Sequence, residues 1–322
     1  MTISVINIGK NTLKFSFVKV IDGVGNGLAT IYAAKVLSID EYGVYGLLSL
    51  WLMYATLIGP GILSAVSREI PVLLGQDKER DALTIQNIAV TGEIFYTVIL
   101  TAFILGALLF YSDPVLKVGM ALVAGSYLII RLATFWSQMN FIRERFNIVA
   151  KGSLIAAVTS PAITLLSLHW LNIYALLVGP SVAQIITWIY YLIKGHIDFH
   201  FKFNRYEIIR LVKVGIILQA LGIAFWAFRL ADRTIIASTL SLEQLGLYTF
   251  AISILMYVVN FTSDFGRVLQ PVLWRSAGKA DNILEGFRDI KRITVYFALG
   301  TAIIIPIVQL VFYSMVRVLT PK

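Results

Sequence analysis

A chain of 322 residues that is 58% hydrophobic, only 14% charged and has a mean hydropathy of +0.81 lacks the charged surface, about 25% of residues, that keeps a domain of this size in water. Its net charge of +9 would suggest nucleic acid as a partner in a soluble protein; in this composition it reads as basic loops on one side of a membrane, with no nucleic acid bound. With no cysteine, disulfides, thiolate metal sites and cysteine nucleophiles are excluded.

The apolar stretch 15–37 is too long, and with Lys19, Asp22 and Lys35 too charged, for a cleavable signal, and is predicted as the first membrane helix. Further spans are predicted at 43–66, 88–110, 115–137, 150–169, 171–193, 210–231, 244–263 and 293–319. The fold class is thus an all-α integral membrane protein of about nine transmembrane helices. Gly59-Pro60-Gly61, Gly179-Pro180 and Pro306 interrupt three spans, which a membrane helix tolerates where neighbours re-satisfy the freed backbone groups. Most of the 27 basic residues, among them Lys78, Arg80, Arg143, Arg145, Lys194, Lys202 and Arg210, fall in alternate loops, against Lys35, Lys117, Arg233 and Lys322 in the others. This bias predicts a cytoplasmic N-terminus.

Residues 36–45 read VLSIDEYGVY and residues 239–248 read TLSLEQLGLY. At this offset Leu37, Ser38, Gly43 and Tyr45 recur as Leu240, Ser241, Gly246 and Tyr248, and Gly75 recurs as Gly278. Six spans separate the copies, so both halves run the same way through the membrane. The pattern predicts a six-helix N-terminal lobe over 1–195, a cytoplasmic linker over 196–209 and a partial second lobe of three helices over 210–322, in parallel repeat. On that plan the second lobe is incomplete, and a C-terminal truncation is expected.

Ala231-Asp232-Arg233-Thr234-Ile235-Ile236-Ala237, with Leu242-Glu243-Gln244-Leu245-Gly246-Leu247-Tyr248 after it, resembles the seventh-helix region of bacterial polysaccharide exporters. These are the O-antigen flippases of the multidrug/oligosaccharidyl-lipid/polysaccharide superfamily. The stretch from Gly23 to Tyr45 and the region of Pro271 are similar to that family as well. Its members usually have twelve to fourteen helices, which this chain does not reach. The resemblance implies a transporter without a cofactor, in the bacterial inner membrane, that moves an undecaprenyl-pyrophosphate-linked oligosaccharide between leaflets by alternating access. Its partners would be that lipid-linked oligosaccharide, membrane lipids, and polysaccharide polymerase or assembly proteins.

An ionisable side chain at bilayer depth costs about 2.5–3.5 kcal/mol on insertion scales and so faces a cavity or a partner. Lys19 and Asp22, with Asn26, share one face of the first span; Arg229, Asp232 and Arg233 cluster in the seventh; Arg131 lies in the fourth. Guanidinium and ammonium groups suit a pyrophosphate, so Lys19, Arg131, Arg229 and Arg233 are candidate substrate-binding residues, with Asp22 and Asp232 tuning them. The competing reading makes Lys19–Asp22 and Arg229–Asp232 intrahelical ion pairs and lets Arg233 snorkel to the outer interface. Glu93 and Asp264 read as interfacial carboxylates near cytoplasmic helix ends.

Gly23-Val24-Gly25-Asn26-Gly27 lies inside a hydrophobic span without a preceding strand, so it reads as helix packing and not as a phosphate loop. His196, Asp198 and His200 sit in a run alternating phenylalanine with polar residues, which suits an extended interfacial linker better than a metal site. Competing functions are an ion-coupled drug antiporter, which would favour acidic over basic embedded residues, and a membrane glycosyltransferase or polymerase, for which the outer loops are too short.

Overall fold

The computed structural model describes residues 5–260 apart from His196 and Asp198. Among these the chain is helical without strands: α1 (Val5–Val36), α2 (Ile39–Leu57), α3 (Ile62–Gly75), α4 (Glu79–Ala107), α5 (Pro114–Ile142), α6 (Phe146–Leu171), α7 (Ala175–Gly195), α8 (Arg205–Thr239) and α9 (Leu242–Asn260). The protein is a multi-pass, all-α membrane protein. The expected span 293–319, with Asp264, Pro271, Gly278 and Pro306, lies outside the described residues.

Glu79–Phe110, Pro114–Ile142 and Phe146–Gly195 are long and apolar enough to cross a membrane, as are two bent pairs, 39–57 with 62–75 and 205–220 with 222–239. Phe146–Gly195 is itself a hairpin. The three-residue turn Asn172–Tyr174 separates α6 from α7, and Gly152 lies under the Tyr191 ring while Gly179 lies on Thr164. These pairings run antiparallel, so the stretch crosses twice. Without hydrophobic attraction between helices in lipid, such close backbone approach at small residues supplies the packing.

The expected span 43–66 is two helices bent by 43°, broken at Gly59-Pro60-Gly61, where Gly61 has φ of 74°. Only glycine takes that conformation without strain, and here its Cα also meets Gly215 of α8 so closely that a Cβ on either residue would collide with backbone. The linker is shorter than expected. Asn204 caps α8, its side-chain oxygen accepting from the amides of Tyr206 and Glu207, so 205–209 belong to the helix. The preceding residues are extended and pinned to α4: the His200 amide donates to Asn87 Oδ1 at 3.2 Å and the Lys202 amide to Thr91 Oγ1 at 3.1 Å. Phe199 packs edge-on against Trp136, while Phe201 and Phe203 stay exposed.

The turns around Asp77 and Glu144, both with φ of 58°, and the linker lie at one end of the bundle. The connections at 37–38, 111–113, 172–174 and 240–241 lie at the other. The basic end is buttressed by Arg143 on Glu79 at 2.9 Å and by Arg210, which grips both oxygens of Glu69 at 2.7 and 2.8 Å. A core of α3, α4, α5, α7 and α8 side chains, including Ile70, Phe135, Met139 and Leu211, fills the bundle behind that end.

The repeated windows meet in space. Ser38 and Glu41 form a reciprocal capping box at the start of α2, and Ser241 with Gln244 forms the same box at the start of α9. A Cβ on Gly43 would lie 2.0 Å from the Leu242 carbonyl oxygen, and one on Gly246 would lie 2.3 Å from the Ile39 carbonyl oxygen. Ile39 and Leu242 are themselves equivalent positions, as are Gly46 and Thr249, which also touch. The α2–α9 crossing therefore has local two-fold character, written residue by residue in the repeat.

Candidate functional site

The break between α2 and α3 leaves carbonyl groups without helical partners, and each is caught by a neighbour. The Ile58 carbonyl accepts from the Tyr96 hydroxyl of α4, and the Leu57 carbonyl accepts from Gln219 Nε2 of α8 at 3.3 Å. Beneath this break lies a cavity of about 450 Å³, bounded by Met53 and Thr56 of α2, Ser64 of α3, Arg131 of α5 and Gln219 and Trp226 of α8. Its walls thus come from both copies of the repeat. Arg131 is the charged residue in that lining.

The Arg131 guanidinium reaches the cavity from behind. Its Nη atoms lie 3.6 and 3.7 Å from where a Cβ on Gly59 would stand, so the glycine break leaves room for the cation. Arg131 also pairs with Glu93 of α4, which is 2% exposed. Glu93 is therefore no interfacial carboxylate, contrary to the sequence-based expectation. α4 begins at Glu79, well before the expected span, so Glu93 lies about 21 Å along the helix. Among the described residues Glu93 Oε2 and Arg131 Nε have no hydrogen-bond partner, and the Tyr127 and Thr97 hydroxyls pair with each other beside them.

The α8 residues flank the same cavity. The Arg229 guanidinium stacks over Phe225 and Trp226, 5.3 and 5.4 Å from their ring centroids, and Nη2 lies 3.2 Å from Met256 Sδ. No Arg229–Asp232 ion pair forms: Asp232 accepts from the Tyr248 hydroxyl and from the Arg233 amide. Arg233 does not snorkel. It is buried at 4% exposure, its Nη1 lies 3.3 Å from Met53 Sδ, and Tyr42, Tyr45, Asp232 and Tyr248 surround its charge.

Lys19 and Asp22 lie apart from this group. They sit on α1, which packs on α6, where Asn26 Nδ2 donates to Asp22 Oδ1 at 2.8 Å and Ser160 Oγ donates to Asn26 Oδ1 at 3.0 Å. Gly25 admits the Pro161 ring beside them. The glycine-rich stretch is thus a helix-packing surface, as its place in a hydrophobic span suggests. Lys19 is half-buried and has no ion pair among the described residues, so the expected Lys19–Asp22 pair does not form. The polar faces of the first and seventh spans consequently take different partners and do not face each other across one interface. Glu93, Tyr96 and Gln219 are the site residues that sequence reasoning missed.

No curated protein matches this chain. A solved structure superposes over the whole chain and 76% of its own length with a TM-score of 0.64 at 15% identity, which shows a shared fold. The model of a family described as polysaccharide biosynthesis protein matches residues 33–318. The chain therefore belongs to this polysaccharide biosynthesis family.

Proposed function

We propose that the protein is a flippase for an undecaprenyl-pyrophosphate-linked oligosaccharide, such as an O-antigen or other surface-polysaccharide repeat unit, in the bacterial inner membrane. The observation that carries this reading is the cavity between the two repeat copies, with Arg131 in its wall and Arg229 and Arg233 on its α8 flank. Three guanidinium groups close to the cavity favour an anionic headgroup, and arginine matches phosphate oxygens in a two-pronged geometry. Lys19, Asp22 and Asp232 would act at the entrance or in tuning those charges.

Two lobes, 1–195 and the part of the chain after the linker, would rock about the α2–α9 crossing to expose the cavity to each side in turn. The reading is supported by the paired glycines there, which let the backbones touch without interlocking side chains. The basic end of the bundle would face the cytoplasm, with the N-terminus inside. Polymerase or assembly proteins would take the product at the outer face.

Deleting the gene in its own host and adding back the 322-residue form tests this. The expected result is completed oligosaccharide–pyrophosphate–lipid trapped in the cytoplasmic leaflet and released on add-back. Unfinished sugar chains, or unchanged intermediates, would overturn it.

A further inference from the structure

α4 changes character at Ile88. Glu79, Arg80, Asp81, Gln86 and Asn87 precede it, whereas from Ile88 to Phe110 Glu93 is the one charged residue. That stretch rises about 33 Å, close to the roughly 30 Å of a bilayer's hydrocarbon core, so the membrane boundary on α4 falls near Ile88. Three contacts hold the linker at that level. The amides of His200 and Lys202 bond to Asn87 and Thr91, on either side of Ile88. Ile208 of α8 packs over Gly92, which sets Arg205, about 5 Å back along α8, near the same boundary. The Phe199 ring meets Trp136 of the core on one side and Phe201, at 4.8 Å between ring centroids, on the other. Beyond it Phe201 and Phe203 are 72% and 69% exposed. Lys202 and Arg205 are exposed as well, with no ion pair among the described residues, and the nearby carboxylate of Glu207 is taken by Arg210.

We propose that residues 201–205 bind anionic phospholipid of the leaflet at the basic end, with Phe201 and Phe203 in the acyl boundary and Lys202 and Arg205 on the lipid phosphate. Successive side chains of an extended segment point to opposite sides, so the two rings share one side and Lys202 takes the other. Rings beside unpaired cations match the boundary between acyl chains and phosphates. Water would leave the rings unburied, and a zwitterionic lipid would leave two cations without a net counter-charge. An acidic protein surface would suit the cations, but at this level acyl chains surround the rings before a soluble partner reaches them. The linker passes straight into α8, which walls the cavity with Gln219 and Trp226, so lipid held here anchors the start of that helix. The inference needs the membrane spans alone and not the nature of the transported molecule.

The chain has no cysteine, so Tyr206→Cys in the full chain takes a single fluorophore beside the site. The labelled protein is placed in phosphatidylcholine nanodiscs containing increasing amounts of a doxyl-labelled lipid. Doxyl-phosphatidylglycerol is expected to quench at about a tenth of the mole fraction that doxyl-phosphatidylcholine needs, each cation near a bilayer surface favouring anionic lipid about fivefold. Lys202→Gln with Arg205→Gln is expected to remove that difference while both lipids still quench. Phe201→Ser with Phe203→Ser should weaken quenching by both. Equal quenching by the two lipids without the glutamine substitutions, or a preference that survives them, overturns the site. Absence of quenching by either lipid overturns it too, placing the linker in water or under another protein. Should a multiply substituted chain fail to fold, the ratio of the two lipids on the chain carrying Tyr206→Cys alone decides, a ratio of one being fatal.

Discussion

The two copies of the repeat agree in their frame and disagree in their chemistry. α1 ends at Val36 and α8 at Thr239; α2 begins at Ile39 and α9 at Leu242, so the boundaries recur at the spacing that separates Ser38 from Ser241. Caps and crossing glycines recur with them. Counting back along α1 and α8, however, Lys19 stands opposite Gly222, Asp22 opposite Phe225, Asn26 opposite Arg229 and Thr30 opposite Arg233. Each of these charges meets an uncharged residue in the other copy, whereas Lys10 and Lys213, and Asp40 and Glu243, coincide near helix starts. The repeated residues are those that hold helices at a fixed crossing, and the unrepeated ones are those that can recognise a ligand. A symmetric frame with asymmetric charge puts Arg229 and Arg233 of α8 beside the cavity, while their counterparts on α1 are Asn26 and Thr30.

The largest effect is expected where charge is embedded without a counterpart in the frame. Arg131→Ala strands the Glu93 carboxylate at 2% exposure and is expected to cost about 3–5 kcal/mol, read as loss of monodisperse protein or a lowered melting temperature in detergent. Adding Glu93→Gln should restore most of that stability, because the stranded charge is gone. If Arg131→Ala alone is as stable as the wild type, the pair is not the buried anchor described here.

At the crossing, Gly43→Ala and Gly246→Ala each drive a methyl group into a carbonyl oxygen of the partner helix. Each is expected to cost about 1–3 kcal/mol by overpacking. Similar losses from the two sites would bear out the local two-fold; a silent Gly246→Ala beside a damaging Gly43→Ala would break it.

Much of this frame was legible in the sequence because its signals are local. A Ser with an acid or amide three residues on marks a helix start, and a glycine one turn later marks a close crossing; both can be read without knowing the partner. Membrane spans were legible from hydropathy for the same reason. Their ends were not: α4 starts nine residues before its apolar core, which places Glu93 in the helix interior and not at the interface. The site depends on which helices face each other, a long-range property. Arg131 was recognisable as an embedded cation, but its partner is 38 residues away and the carbonyl groups caught by Tyr96 and Gln219 exist only because the chain breaks at Gly59. Arg233 looked like a snorkelling end residue and is instead enclosed by α2 and α9.

The caps offer a smaller and cleaner comparison. Ser38→Ala and Ser241→Ala each remove an acceptor from the first turn of equivalent helices, the Glu41 and Gln244 amides losing their partners. Each is expected to cost about 1 kcal/mol, measured by thermal unfolding. The first loss should be slightly larger, since Ser38→Ala also removes the hydroxyl that donates to the Glu41 carboxylate at 2.9 Å, a charge-assisted bond.

The smallest expected effect separates charge from shape on the α8 flank. Arg229→Lys keeps the positive charge but loses the planar group that lies over Phe225 and Trp226. If Arg229 serves only as a cation near the cavity, farnesyl pyrophosphate should bind the variant as it binds the wild type. If the two rings hold the guanidinium ready for a phosphate, the variant loses about 0.5–1 kcal/mol of binding, a two- to fivefold weaker affinity, with its melting temperature little changed. The second outcome is expected, because Trp226 lines the cavity and thereby ties the orientation of Arg229 to the place where a headgroup would sit. The equivalent position in the other copy is Asn26, bonded to Asp22 and Ser160, so Asn26→Arg should bring no gain in affinity and should instead loosen α1 from α6.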